Sequence, residues 1–231
     1  MKKATFLTAI LLLALARSAQ ADFVSTMNAN SGFANGGVIP DGSLTGWSDT
    51  RAVSGIGNIS DVSVTLNLSG GWNGDLYAYL VHSSGFSVLL NRVGVTANGS
   101  PGYGTAGMNV TLNDAAVLGN IHSVLAPVSG GIYQPDGRNV NPLTPGSTLG
   151  STLPTALLSS FNGLNPSGNW TLFIADVSGG DVSTVQSWGL QIASVPEPAS
   201  LVEGSVAVLF LGGVIGLYRL KGAKIQPQTC G

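Results

Sequence analysis

The chain has 231 residues, of which 9% are charged, 44% are hydrophobic and 33 are glycine, with a formal net charge of −2. Few charges with abundant Gly, Ser, Thr and Asn suit an exported β-protein with many turns and argue against a helical cytosolic enzyme. Between residues 22 and 194 three cations, Arg51, Arg92 and Arg138, face nine aspartates, a net of −6 with no lysine, which excludes a nucleic-acid partner because phosphate binding needs clustered cations.

Residues 1–21 read as a secretory signal peptide. Lys2 and Lys3 form the charged start, Ala4 to Ala16 the apolar centre, and Ala19-Gln20-Ala21 the small-x-small site, so cleavage is expected after Ala21. The body of the chain, 22–194, is large enough for one domain with a real core. Its only cysteine, Cys230, lies outside that body, so packing, with or without a metal, must hold the domain instead of a disulfide.

Residues 22–58 are rich in Gly, Asn and Ser, with one notable run, Val38-Ile39-Pro40-Asp41-Gly42, read as a turn or strand edge. A strand follows at Ile59–Leu68, where Val62, Val64, Leu66 and Leu68 alternate with polar residues. After the turn Ser69 to Gly74, the segment Asp75 to His82 is apolar on both faces and is expected to be a central strand. Phe86 to Leu90 is expected to pair with it through Ser83-Ser84-Gly85, and Met108 to Leu112 is a further alternating strand. Between 113 and 160 the pattern fades under Pro127, Pro135, Pro142, Pro145 and Pro154. A connection of that length is expected to include a surface-hugging functional loop. Two last strands close the body, Trp170 to Ala175 and Trp188 to Ile192, joined by the turn Asp176 to Asp181. Strands at roughly ten-residue intervals, with no helix of three turns, define an all-β chain: an antiparallel β-sandwich with jelly-roll-like topology.

The tail, 195–224, has a different character. Val195 to Ser200 is extended and proline-stiffened, Leu201 to Tyr218 is apolar except for Glu203, and Arg219, Lys221 and Lys224 form a basic end. This eighteen-residue, predominantly apolar stretch approaches the length of a bilayer span, so a C-terminal transmembrane helix is expected, with its basic end in the cytoplasm. Residues 225–231 are a short tail. With the N-terminal lysines also cytoplasmic, the domain is expected across the inner membrane.

Candidate chemistry is sparse. His82 ends a buried strand and is expected to pack or cap, whereas His122, in the irregular connection, is expected to be solvated. Neither stands beside a Gly-x-Ser-x-Gly elbow, so no catalytic residues and no enzyme activity are expected. No phosphate-binding loop is present, and two separated histidines without cysteine give no zinc set. Calcium takes six to eight oxygens, for which Asp75, Asp176 and Asp181 beside two turns are the candidate ligands; the alternative is that they are ordinary turn residues bonding their own backbone. Trp72, Tyr77, Tyr79 and Tyr103 are either core aromatics or a platform for sugar rings.

Two resemblances are carried by these residues. Pro196, Glu197 and Pro198, the apolar segment and the basic end resemble the PEP-CTERM sorting signal of Gram-negative bacteria. The resemblance implies an exosortase-type sorting peptidase as partner, with transient membrane anchoring before release to the cell surface. Glu203 and the extension ending in Cys230 and Gly231 depart from that pattern. The body resembles the P domain (P/Homo B) of subtilisin-like proprotein convertases. The matching pieces are Ile39-Pro40-Asp41, Ile59-Ser60-Asp61-Val62, Trp72-Asn73-Gly74-Asp75-Leu76 and Ser167-Gly168-Asn169-Trp170 through Ser187-Trp188-Gly189-Leu190. Tyr133 to Arg138 resembles a segment of exported relatives, while Ser183 stands where the family often has Gly. A jelly-roll sandwich is implied, without the protease domain that performs hydrolysis in that family. The expected function is a non-catalytic exported module, sorted to the cell surface or exopolysaccharide matrix for adhesion or scaffolding. The alternatives are a protease-associated accessory and a carbohydrate-binding surface protein.

Overall fold

In the computed structural model, which describes residues 21–195, the alternating stretches become strands with one buried face. The strands are β1 (Ala21–Asn28), β2 (Ser43–Val53), β3 (Ile59–Gly70), β4 (Leu76–His82), β5 (Gly85–Asn91), β6 (Met108–Leu112), β7 (Gly131–Tyr133), β8 (Gly168–Asp176) and β9 (Ser183–Ser194). Helix is limited, among the described residues, to the single turn α1 (Gly146–Leu149) and short 3-10 turns. None is long and apolar enough to cross a membrane. The signal-peptide core, the sorting motif Pro196-Glu197-Pro198 and the expected transmembrane helix lie outside the described residues.

One sheet has the order β1-β9-β3-β6-β7 and the other β2-β8-β4-β5. Val64 and Leu66 of β3 with Trp188 and Leu190 of β9 enter the core from the first sheet; Trp170 and Leu172 of β8 with Leu76 and Leu80 of β4 enter it from the second. Each is essentially fully buried, worth roughly 1.5–3 kcal/mol for a large apolar side chain. The expected central strand is an inner one, since β4 lies between β8 and β5. Val38 and Ile39, read as a turn or strand edge, bridge to β9 through Thr184 and Ser183.

All strand pairs but one are antiparallel. β7 runs parallel to β6, because the segment between them returns the chain to the end from which β6 started, as a crossover of a dozen or more residues allows. β1 and β2 form within the segment that showed no alternation. The inward face of β2 carries Asp49 and Arg51 between Trp47 and Val53, with the two polar side chains half-buried. The Asp49 carboxylate accepts from the Trp188 indole Nε1 at 2.8 Å, across the core from the other sheet, and from Arg51 Nε at 2.7 Å. Arg51 in turn donates to the Ser31 carbonyl at 3.0 Å.

The long connection is pinned at its base and its middle by two aspartates. Asp114, at its start, accepts from the amides of Leu158 and Ser159, at its end, at 3.1 and 2.7 Å. Asp136, fully buried, accepts from the amide of Asn91 on β5 and from Arg138. The same segment covers the outer edge of β5, where Asp136 and Gly137 amides donate to Leu89 and Val88 carbonyls. Trp188→Phe keeps most of the buried ring and deletes the inter-sheet hydrogen bond; urea denaturation should show a loss of about 1–3 kcal/mol.

Candidate functional site

The turns 40–42, 71–76 and 176–183 gather at one end of the sandwich. Leu76 pairs with Asp176, the Val177 amide donates to the Asp75 carbonyl at 2.9 Å, and the Gly180 amide donates to both Asp41 carboxylate oxygens at 3.1 Å. Four carboxylates therefore share this end: the predicted Asp75, Asp176 and Asp181, and Asp41, which sequence reasoning placed only in a turn. Arg92 acts on Asp75 from the end of β5.

Asp176 is the unusual member. It is 1% exposed; its Oδ1 accepts from the Ser178 amide at 3.2 Å, and its Oδ2 is buried without a partner. Burial, reinforced by the charges of Asp75, Asp41 and Asp181 and opposed by the Ser178 amide, pushes its carboxyl up to about 6. Burial also raises Asp75, with Asp181 and Asp41 adding to the effect and the Arg92 guanidinium opposing it. Asp181 itself is exposed. These aspartates feel one another's charge, yet among the described residues no three His, Cys, Asp or Glu side chains are placed to hold a metal ion. A shared calcium would have to draw most of its oxygens from turn carbonyls.

The histidines fall on opposite sides of their expectations. His82 packs as anticipated: its ring stacks on Trp170 with centroids 4.6 Å apart, Nδ1 meets Ser84 Oγ at 2.6 Å, and Nε2 meets the Ser167 carbonyl at 3.2 Å. Ser84 and His82 thus touch within one tight turn, but a backbone carbonyl stands where a catalytic triad has its orienting carboxylate. His122 corrects the reading of a solvated side chain. It is 5% exposed, with Nδ1 at 2.6 Å from Asp136 Oδ2 and Nε2 at 2.8 Å from the Val95 carbonyl. Both ring nitrogens are thus engaged by oxygens of the domain itself. The Pro135-Asp136-Gly137 sequence resembles an exposed turn, which concealed the buried partner. A cleft of about 140 Å³ beside this network is lined by Asp114, Asn120, Gln134, Pro154 and Leu157, well below the size of most small-molecule sites.

The four aromatics read as either core or a sugar platform fall on different elements. Tyr77 and Tyr79 lie on the outer face of β4 and join Phe86 and Phe173, while the Trp72 ring lies against Gly104 and Tyr103 packs over Gly94 towards the core. Tyr79 is stacked on Phe173 at 4.7 Å and 19°, with Phe86 tilted beside it at 5.3 Å. A sugar ring binds on an open aromatic face, and Phe173 occupies one face of Tyr79. Gly46, at φ +59°, lets β2 pass under this row, since a Cβ there would stand 2.5 Å from the Phe173 ring.

No protein-family model matches the chain, and no curated protein matches its sequence. Among solved structures, it is similar to a chain of the Aeromonas sobria serine protease and chaperone complex, at 15% identity and a TM-score of 0.43 over 82% of this chain and 30% of that one. It is also similar to the Aeromonas sobria serine protease, at 16% identity and a TM-score of 0.43 over 81% of this chain and 29% of that one. The chain spans less than a third of the length of either, and likeness at this level bears on neither activity nor partners.

Asp176→Asn should remove a pH dependence. A carboxyl raised from 3.8 to about 6 in the fold stabilises the protein below pH 4 relative to neutral pH, and that contribution is lost as pH rises through 6. Above pH 6 the variant should exceed the parent by roughly 1–3 kcal/mol, with the difference vanishing towards pH 4; thermal melts from pH 4 to 8 measure it. The calcium reading requires that chelator lower the parent's Tm at pH 7.5 and leave the variant's unchanged. Equal Tm with and without chelator removes it. Asp136→Ala, which strands His122 and Arg138 in the interior, should cost about 3–5 kcal/mol. Hydrogen exchange should show protection lost first in the 113–160 connection.

Proposed function

We propose that this chain is a non-catalytic exported module, sent out by a leader at 1–21 and directed by the segment 195–224 to the cell surface or exopolysaccharide matrix of a Gram-negative bacterium, where it serves adhesion or scaffolding. On this reading the body is a P-domain-like jelly roll without its protease, and Pro196-Glu197-Pro198 is met by an exosortase-type peptidase after a transient membrane-anchored stage. The observation that carries the non-catalytic part is the use of both histidines for structure: His122 is closed between Asp136 and Val95, and His82 is clamped on Trp170 within a turn. A histidine held at both ring nitrogens by its own chain is poorly placed to activate a nucleophile, which supports the non-catalytic reading.

A second reading, an accessory that docks on a protein such as a surface protease, draws support from the connection. Val117, Leu125, Val128 and Ile132 stand 95%, 58%, 68% and 49% exposed within sixteen residues, a density of apolar side chains that suits a protein partner.

Mass spectrometry of both ends of the native protein, with cell fractionation, tests the proposal. The expected result is a mature N-terminus at Asp22, a C-terminus near 196–198, and recovery from the surface or matrix. An intact C-terminus held in the inner membrane would overturn the sorting role.

A further inference from the structure

We propose that the two crossings which close the acidic end of the sandwich hold a hard metal cation, with Asp176 Oδ2, Asn73 Oδ1 and Ser183 Oγ as its side-chain ligands. The ion then lies beneath the surface aspartates and not between them, and its binding is independent of the sorting and adhesion reading.

One crossing, 71–75, leads from β3 of the first sheet to β4 of the second; the other, 177–182, leads from β8 back to β9. They run antiparallel and are tied at both ends, since Gly70 lies opposite Ser183 and Leu76 opposite Asp176. The Val177 amide adds a bond between them to the Asp75 carbonyl. Asn73 stands midway along the first crossing, and Asp176 and Ser183 bracket the second. Asn73 and Asp176 are 1% exposed and Ser183 0%. Among the described residues four buried side-chain oxygens have no hydrogen-bond partner, and three of them are Asn73 Oδ1, Asp176 Oδ2 and Ser183 Oγ. Such atoms are rare because they cost folding free energy, so three on one pair of crossings point to something they hold in common.

Each orphaned oxygen is fixed by what its neighbours do. The Asn73 amide cannot be turned over, because its Nδ2 donates to the Gly107 carbonyl at 2.9 Å and to Thr105 Oγ1 at 3.1 Å, and a carbonyl only accepts. Asp176 Oδ1 takes the Ser178 amide, which leaves Oδ2. Ser183 Oγ lies against Gly71, where a Cβ would overlap it; the glycine keeps the space beside the hydroxyl open. A donor set made only of oxygens is the chemistry of calcium and other hard cations. Water could meet the same hydrogen bonds, but the local charge favours a cation: Asp75, Asp41 and Asp181 reinforce Asp176, and Arg92 opposes them from beside Asp75. Turn carbonyls are left to complete the coordination.

The test uses the full chain in detergent, stripped with chelator and exchanged into choline chloride at pH 7.5. Calcium chloride, and sodium chloride in a second arm, are added back while equilibrium dialysis with metal analysis reads binding and thermal melts read Tm. The parent should take up one cation per chain and melt higher with it. Ser183→Ala deletes one buried oxygen without adding bulk and should weaken that binding about 10-fold or more. Asp181→Asn, at the exposed rim, should weaken it by less than about 3-fold, as a screened outer charge does. A parent that binds neither ion and keeps its Tm leaves the three oxygens to water and overturns the proposal, with no variant needed. Binding unchanged in Ser183→Ala but abolished in Asp181→Asn would put the ion among the surface aspartates and overturn it equally.

Discussion

The hydrogen bond from the Trp188 indole to the Asp49 carboxylate, 2.8 Å long, joins two sheets that otherwise meet through apolar side chains. Apolar contact is non-directional and tolerates sliding; a buried donor and acceptor do not. Leaving either group unpaired costs more than the bond itself contributes, so this contact sets how β2 lies over β9. Arg51 completes it by neutralising Asp49 and reaching the Ser31 carbonyl, which draws the turn after β1 onto the second sheet. With no cysteine in the body of the chain, the task that a disulfide performs in many small exported domains falls to this polar tie and the surrounding rings.

The same economy governs the other cations. Arg138 is paired with Asp136, and Arg92 donates to the Pro142 carbonyl. All three arginines of a domain with nine aspartates are thus engaged with its own structure. Asp136 in particular turns a proline-rich connection into an ordered cover over β5, and Asp114 closes that cover at its base. The surplus negative charge then gathers at the opposite kind of place, a set of turns where Asp176 is buried with an orphaned oxygen. Charge supports the connection and strains the turn cluster, by the same physics with and without a partner.

The strands most legible in the sequence were those with an unbroken apolar face. β3, β6, β8 and β9 alternate because their inward residues are Val, Leu, Ile and Trp, and β4 showed its inner position by carrying aromatic or aliphatic residues on both sides. β2 was not legible because Asp49 and Arg51 interrupt its inward face, and a hydropathy pattern cannot distinguish an inward ion pair from solvent-facing polarity. β1 offers only Phe23 and Met27 to the core, too little for a period. At the acidic end, turn composition marks Asp75, Asp176 and Asp181, but the gathering of their turns, and the approach of Asp41 and Arg92, is a product of tertiary folding. His122 was misread for a related reason: burial in an irregular segment depends on one distant carboxylate, for which local sequence has no signature.

The pairing of Ala21 with Ala193 places the two ends of the described domain side by side on antiparallel neighbours. A tensile load applied between those ends would meet the hydrogen bonds of β1 and β9 one at a time, as a zipper, and not all together in shear. The seam between β9 and β3 is longer, with eleven residue pairs, so β1 would peel away before β9 left its sheet. Under such a load the domain would open from its own ends, strand by strand.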